Sequence, residues 1–419
     1  MINLLVDYLD NAVYKVDKGG MNLLNNEYDY EKLMSHLIDL PACALITTGR
    51  TGSDFLQSLL DSHTEVLTFN GIFFFHEFWE QSRCVNYAIT NNLITNVSDL
   101  LEEFAGVFLH KFKSQYDYKE RKDCLGINGD QHIDIDLNKF KMVVTNLLNK
   151  EDITSRNFML AAYGSYAICL NQNLDKKKIL FHHIHHAEKL HNYIIDFPNS
   201  RILCMTRDPR ANFVSGIVHH RKQNVKTDNE LHLLYYIKRI IIDAYSADDF
   251  SNNVMVLRIE DLGEKKILIN LCNWLKIQYE DSMTESTWGG MFWRGDRVSR
   301  QENTGHGFSA KMLDNQWEKK LSRKDKYIFN FLMNDRLKNY KYSYKKVNLY
   351  DYLVVPFILF LPLKFELRFF SMKYIKNASL RELVVNCIWY ISRVLFFYKT
   401  YYRTLSGFKF SRRYIKYSE

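Results

Sequence analysis

The chain has 419 residues, 47% of them apolar and 25% charged, with 56 Lys/Arg against 48 Asp/Glu and a formal net charge of +8. That size and apolar content, with only 5 prolines and 17 glycines, exclude a disordered chain and fit one large globular domain or two ordinary ones. The seven cysteines form no CxxC pair, which argues against a disulfide scaffold or a zinc site and for a reducing, cytoplasmic setting.

The first twenty residues, MINLLVDYLDNAVYKVDKGG, place Asp7 and Asp10 where a signal peptide needs unbroken apolar character. No run reaches the roughly 18 apolar residues of a membrane span. The longest, Tyr352 to Leu363, is interrupted by Pro356 and Pro362. Residues 1–40 read as a helical lead-in, with a helix over Glu27 to Leu40 that stops at Pro41. Ala42 to Thr47 then reads as a strand, followed by a glycine turn and a helix from Gly52 to Ser62. Phe55, Leu56, Leu59 and Leu60 have the helical spacing. Glu65 to Phe69 is a second short strand.

Residues 85–175 form a helical insertion, with helices expected over Ser98–Phe112, Leu137–Leu148 and Ser155–Leu170. Asp136 and Thr154 are candidate N-caps for the last two. Strands then resume at Lys178–His183, at "RILCMTRDP" from Arg201, and at Asn253–Leu262. They alternate with helices over Ala187–Asp196, Ala211–Arg221 and Asn229–Tyr245, and with one ending at Leu275. Strands alternating with helices predict an α/β fold: a three-layer sandwich around a central parallel sheet with right-handed crossovers. The expected organisation is 1–40, a main domain over 41–340, and a C-terminal region over 341–419.

The stretch TTGRTGSDFLQSLLDSH, Thr47 to His63, has the form of a phosphate cradle. Gly49 and Gly52 let the backbone approach an anion, and the amides opening the next helix point at it. Arg50 adds a positive fork, and Thr51 and Ser53 add hydroxyls. The Gly-Lys-Ser/Thr ending of an ATP-binding P-loop is missing. A second candidate lies in TRDPRANFVSG, where Arg207 leaves a strand end and Ser215 follows eight residues later in a helix. Either piece alone also suits an ordinary strand-to-helix turn.

Together, the two pieces resemble the sulfotransferases that use 3′-phosphoadenosine-5′-phosphosulfate (PAPS), over roughly residues 42–340. The family's 5′-phosphosulfate loop corresponds to Arg50, Thr51, Gly52, Ser53, Asp54 and Phe55, and its 3′-phosphate pair to Arg207 and Ser215. LRIEDL at Leu257–Leu262 and Trp317 with Leu321 resemble weaker downstream motifs, Ile259 replacing a usual Tyr. The resemblance implies the P-loop NTPase-like sulfotransferase fold, PAPS as sulfuryl donor, no metal, and Arg50 in the place of the kinase lysine. Asp54 departs from the usual Ser/Thr. Its carboxylate must turn away from the phosphate, accepting backbone amides or holding Arg50, or else cofactor handling is altered.

Sulfuryl transfer needs positioning, charge stabilisation and a base for the acceptor hydroxyl. FHHIHHAEKLH, Phe181 to His191, holds five of the 14 histidines at a strand end. Family members acting on small alcohols carry a base histidine there. Strand alternation groups His183 with His185, and His185 is taken as the base with His183 assisting. His182, His186 and Glu188 are the alternatives, as is a structural or metal-binding cluster. NGIFFFHEFW, Asn70 to Trp79, follows the second strand, where the family has its acceptor pocket, so His76 and Glu77 are expected acceptor contacts unless the aromatics are core. The polar segment Trp293–Lys311 is a candidate loop over the nucleotide.

Residues 341–419 carry 15 Lys/Arg and only 4 Asp/Glu, interleaved with aromatics. Arg381 to Tyr398 reads as a helix with an apolar face. Peripheral contact with an anionic membrane at its inner face is expected, against docking on the body or on another subunit; no nucleic-acid module is present. The leading function is PAPS-dependent sulfation of a hydroxyl on a carbohydrate or glycolipid. A P-loop kinase or nucleotide-binding protein, and an inactive membrane-attached scaffold, are the rivals.

Overall fold

The computed structural model describes residues 28–117, 122–222, 237–241, 253–295, 307–309, 317–406 and 413–414. The apolar run ACALIT forms strand β1 (Ala42–Thr47), buried at every position. A strand that is apolar on both faces belongs in the interior of a parallel sheet with helices on either side, and β1 lies there. With β2 (Val66–Thr68), β3 (Ile179–His185), β4 (Arg201–Thr206) and β5 (Val254–Arg258) it makes the order β2-β3-β1-β4-β5. Every neighbouring pair is parallel. A two-residue strand, Arg413–Tyr414, adds parallel to the free edge of β5. The C-terminal ends of β1, β3, β4 and β5 therefore open on one side, which is where ligands bind in open α/β sheets.

Both faces of the sheet are covered, as the three-layer reading requires. His182 turns to Tyr163 on one face, and His183 turns to Gln57 on the other. Helix α1 (Tyr30–Asp39) begins at Asp29, whose side chain accepts from the Lys32 amide. Helix α2 spans Ser53–Leu60 and helix α3 Ser155–Cys169, the latter capped by Thr154. The Leu37 side chain of α1 lies directly over Gly164 of α3, so the lead-in helix packs on the insertion.

The insertion starts earlier than expected, at Phe75–Gln81, and the helix expected over Ser98–Phe112 is broken at Phe108 into Val97–Val107 and Leu109–Phe112. The Leu137–Leu147 helix carries the Asp136 cap. The helices close over an aromatic cluster, with Phe69 stacked on Tyr166 at 4.1 Å and on Phe73 at 4.5 Å. Each such pair contributes about 0.5–1.5 kcal/mol beyond its buried area.

Three further elements differ from the expected bounds. β3 runs to His185 rather than ending at His183, because its ladder with β1 continues through Ile46. The segment after it opens with a 3-10 turn, Ala187–Lys189, before helix α4 (Leu190–Asp196). β5 ends at Arg258 and turns into the 3-10 segment Ile259–Asp261. Helix α5 (Pro209–Lys222) follows β4, and α6 (Lys265–Leu275) follows β5. Of the helix expected over Asn229–Tyr245, residues 237–241 are helical and the rest lies outside the described residues.

The C-terminal region docks on the body through α7 (Arg323–Leu332), α8 (Leu349–Leu359) and α9 (Leu380–Leu405). α8 and α9 run antiparallel. Tyr401 Oη donates to the Tyr352 carbonyl at 2.8 Å, and Tyr398 Oη to that of Pro356 at 2.6 Å. Arg393, wholly buried, pairs with equally buried Glu366 at 2.8 Å. Its guanidinium also donates to the carbonyls of Leu359 and Leu361. Among the described residues no helix is long and apolar enough to cross a membrane.

Candidate active site

The loop between β1 and α2 takes a conformation that its sequence makes possible. Gly49 and Gly52 both sit at φ +83°, and Arg50 between them at φ +54°. For a non-glycine residue that region costs about 1–3 kcal/mol and persists only where the surroundings impose it. Gly52 has a second reason to be glycine: a Cβ there would stand 2.3 Å from Ile259 Cδ1. The 3-10 turn after β5 therefore presses on the loop from above. Thr51 is buried and its hydroxyl is hydrogen-bonded to that of Thr47, which also accepts from the Gly49 amide at 3.1 Å. Thr51 thus braces the loop from within. Gly52 stands at the N-cap of α2 and makes no side-chain cap, so the first amides of this helix, which follow Arg50 in the loop, are left without that partner, an arrangement suited to an anion.

Asp54 turns toward the histidines. Its Oδ1 is 3.5 Å from His183 Nδ1. That direction was not among the partners expected for it.

Across β1 from this loop, His183 and His185 end β3 with ring centroids 5.4 Å apart. The pairing register jumps here, Leu45 opposing His183 and Ile46 opposing His185, which leaves Ile184 bulged and His185 at φ +75°. The bulge aims the two imidazoles at one another, and His183 Nε2 meets His185 Nδ1 at 3.3 Å. On the other side of His183, Nδ1 meets Gln57 Oε1 at 3.1 Å.

The proton positions along this chain follow from hydrogen-bond bookkeeping. The Gln57 amide nitrogen donates to the Phe69 carbonyl at 3.0 Å and to Thr68 Oγ1 at 2.9 Å, while its oxygen accepts from the Gly71 amide at 3.1 Å. The carboxamide cannot be turned round without facing a carbonyl with an oxygen. Its Oε1 is thus an acceptor, so His183 carries its proton on Nδ1. With His183 neutral, its Nε2 is a lone pair, and His185 donates to it from Nδ1. The remaining lone pair of a neutral His185 is on Nε2. Burial, followed by His186, Arg239 and Arg50, holds the His185 pKa well below its ordinary value. The imidazole is therefore neutral at neutral pH.

The other histidines have different surroundings. His182 is buried on the opposite face, 2.7 Å from Tyr163 Oη and stacked on Tyr193 at 5.3 Å. Burial, with smaller contributions from His76 and Lys111, holds it neutral as well. His186 Nε2 accepts from Arg239 Nη1 at 2.8 Å. The Glu188 side chain lies outside the described residues.

On the far side of β1, the segment after β4 divides its charges between two tasks. Asp208 and Arg210 form a buried pair at 2.6 Å, with Arg210 4.1 Å over the Trp317 ring and bonded to the Ser343 carbonyl. Glu260 accepts from the Asp208 amide at 2.9 Å, tying the end of β5 to the end of β4. Arg207 is half-buried at the strand end, near enough to Glu260 to oppose the rise that burial imposes on its pKa. Ser215 lies in α5, one turn after Asn212, whose amide donates to Thr48 Oγ1 at 3.0 Å. The downstream motifs thus serve as the frame of the two loops: Glu260 by its carboxylate, Ile259 by its bulk, Trp317 by its ring.

In the segment after β2, Phe73 and Phe75 are core and Phe74 is 40% exposed, 6.3 Å from the His186 ring. His76 is buried and bonded to Asp196 at 3.0 Å, while Ser155 donates to the same carboxylate at 2.7 Å. Glu77 pairs with Lys189 at 3.2 Å. Of the polar segment Trp293–Lys311, residues 293–295 and 307–309 are described; Phe308 packs 6.1 Å from Phe55. Among the described residues no group of three or more His, Cys, Asp or Glu is placed to hold a metal ion.

Gln57, Asn212 and Arg239 were not anticipated. Gln57 did leave a signal, since it is a polar residue within the apolar positions of α2. Asn212 and Arg239 left none, because their partners are more than fifty residues away in the chain.

No protein-family model and no curated protein matches the chain. Among solved structures it is similar to the sulfotransferase domain from the Synechococcus PCC 7002 olefin synthase. Identity there is 13% and the TM-score 0.34, over 67% of this chain and 87% of that one. It is also similar to the sulfotransferase domain from the curacin biosynthetic pathway, with 12% identity and a TM-score of 0.33 over 67% and 98% of the two chains.

Proposed function

We propose that this protein is a PAPS-dependent sulfotransferase acting on a hydroxyl of a carbohydrate or glycolipid. The observation that carries this reading is a neutral imidazole with a fixed tautomer, His185, beside a glycine loop with an arginine and an uncapped helix N-terminus. One half takes a proton from an alcohol; the other holds a multiply charged anion.

The residues fit the donor substrate. Arg50, the Gly52 and Ser53 amides and the Ser53 hydroxyl suit its 5′-phosphosulfate. Arg207 and Ser215, across β1, suit its 3′-phosphate, and Phe55 and Phe308 border the loop. Asp54 faces His183, so its carboxylate is drawn off the anion and can stabilise charge on the imidazole pair. In the reaction His185 Nε2 takes the acceptor O–H proton. The acceptor oxygen forms a bond to sulfur as the bond from sulfur to the phosphate oxygen breaks. Arg50 stabilises the charge that grows on that leaving oxygen. The exposed ring of Phe74, beside the histidines, suits the apolar face of a sugar.

Calorimetric titration with adenosine 3′,5′-bisphosphate, beside ATP with magnesium, tests the reading. Metal-independent micromolar binding that is lost in Arg207→Ala is expected, followed by transfer of labelled sulfate from PAPS to a glycan in an acceptor screen. A preference for ATP with magnesium would instead assign a kinase.

A further inference from the structure

The C-terminal helices bury one face and leave the other apolar. On α8, Leu349, Leu353 and Phe357 are 78%, 64% and 74% exposed. On α9, Leu380, Ile388 and Leu395 are 78%, 57% and 64% exposed, with Val384 and Ile391 completing the stripe. At 100° per residue these α9 positions fall within one quarter of the helix circumference. Trp389, Arg393 and Phe397 occupy the opposite side and are fully buried. Contiguous apolar surface of this kind marks an interaction site rather than ordinary surface.

The charge around the stripes selects the partner. Arg381 and Lys399, both exposed, lie along one border of the α9 stripe, and Lys364, Lys373 and Lys376 are exposed in the connection between the helices. Two of the described acidic residues are turned inward, Asp351 bonded to Tyr327 and Glu366 against Arg393, and the exposed carboxylate of Glu382, bonded to Ser379, lies on the side of α9 away from the stripe at 100° per residue. An isologous dimer through this face would set the same cations against each other. An anionic bilayer satisfies both features at once, taking the apolar side chains into its interface and the ammonium and guanidinium groups at its phosphates.

We propose that α8 and α9 form a docking surface by which the protein lies on an anionic lipid bilayer. The test is co-sedimentation of the full chain with phosphatidylcholine vesicles, with and without phosphatidylserine, together with sedimentation equilibrium of the free protein. Binding is expected only to the vesicles containing phosphatidylserine, and it should fall as salt is raised. Arg381→Gln with Lys399→Gln should lower partitioning about thirtyfold. Ile388→Ser with Leu395→Ser, both at exposed sites that leave the fold intact, should abolish it. Equal binding to both vesicle types, or to neither, would overturn the proposal. So would a homodimer that Ile388→Ser dissociates, since the second copy would then be the occupant.

Discussion

His183 Nε2 stands 3.3 Å from His185 Nδ1, and the same His183 ring is held at Nδ1 by Gln57 Oε1, 3.1 Å away. Because backbone groups of residues 69 and 71 fix the Gln57 carboxamide, a helix side chain settles which nitrogen of a strand-end histidine is basic. His185→Asn should lower kcat by about 10²–10⁴, while calorimetry shows the affinity for adenosine 3′,5′-bisphosphate changed by less than a few fold. An equal loss of nucleotide affinity would place His185 in binding instead.

Gln57→Leu removes the acceptor without touching the reacting groups. It should cost about 1–3 kcal/mol of stability, as buried partners are left unsatisfied. It should also lower kcat while leaving KM for the acceptor nearly unchanged. A purely structural role would lower the denaturation midpoint and leave the pH profile of kcat where it was. A positioning role shifts that profile.

His182 and His185 are both held neutral in the fold, and both would titrate near 6.5 in the unfolded chain. As pH falls below that value, the unfolded chain takes up protons that the native state refuses, so these two groups erode stability toward acid. The expected slope is about 1.4 kcal/mol per pH unit for each. Asp61, Glu260 and Glu366, whose carboxyls burial raises, act in the opposite sense. The comparison is therefore made by difference: urea titrations from pH 7 to pH 5.5 should lose one proton's worth of slope in His182→Asn. Identical slopes in the two proteins would show that His182 takes up its proton in the fold.

Gly52→Ala meets two obstacles, a φ of +83° and a contact of 2.3 Å with Ile259 Cδ1. We expect a loss of about 1–3 kcal/mol together with weakened nucleotide binding. Adding Ile259→Ala should recover part of the stability, because it removes the clash and leaves the backbone strain. A double mutant no more stable than the sum of the two single losses would show that the contact is not the cause.

Arg207 and Arg210, two residues on either side of Asp208 and Pro209, should behave differently. Arg210→Ala strands a buried Asp208 and uncovers Trp317, and should cost about 3–5 kcal/mol of stability. Arg207→Ala should leave the melting temperature within a degree or two of wild type and weaken the bisphosphate instead. Thermal melts with and without nucleotide separate the two, and the reverse pattern would exchange their roles.

The sequence alone determined the secondary elements that have a strong local cause. The apolar run Ala42–Thr47 has its observed bounds, the caps Asp136 and Thr154 hold their helices, and the alternation of strands and helices required a parallel sheet. It also supplied the glycines of the first loop, since only glycine reaches their backbone angles without cost. Tertiary structure decided what depends on distant partners. β3 extends to His185 because β1 offers it a ladder, and Phe108 breaks a helix that local propensity would have continued. Asp54 Oδ1 comes within 3.5 Å of a histidine ring 129 residues away in the chain. The direction of the Gln57 carboxamide, and through it the basic nitrogen of His185, rests on backbone groups brought together only when α2 packs against the sheet. Hydrogen bonds across such separations leave no periodicity in a sequence, whereas apolar spacing and capping act within a few residues and do.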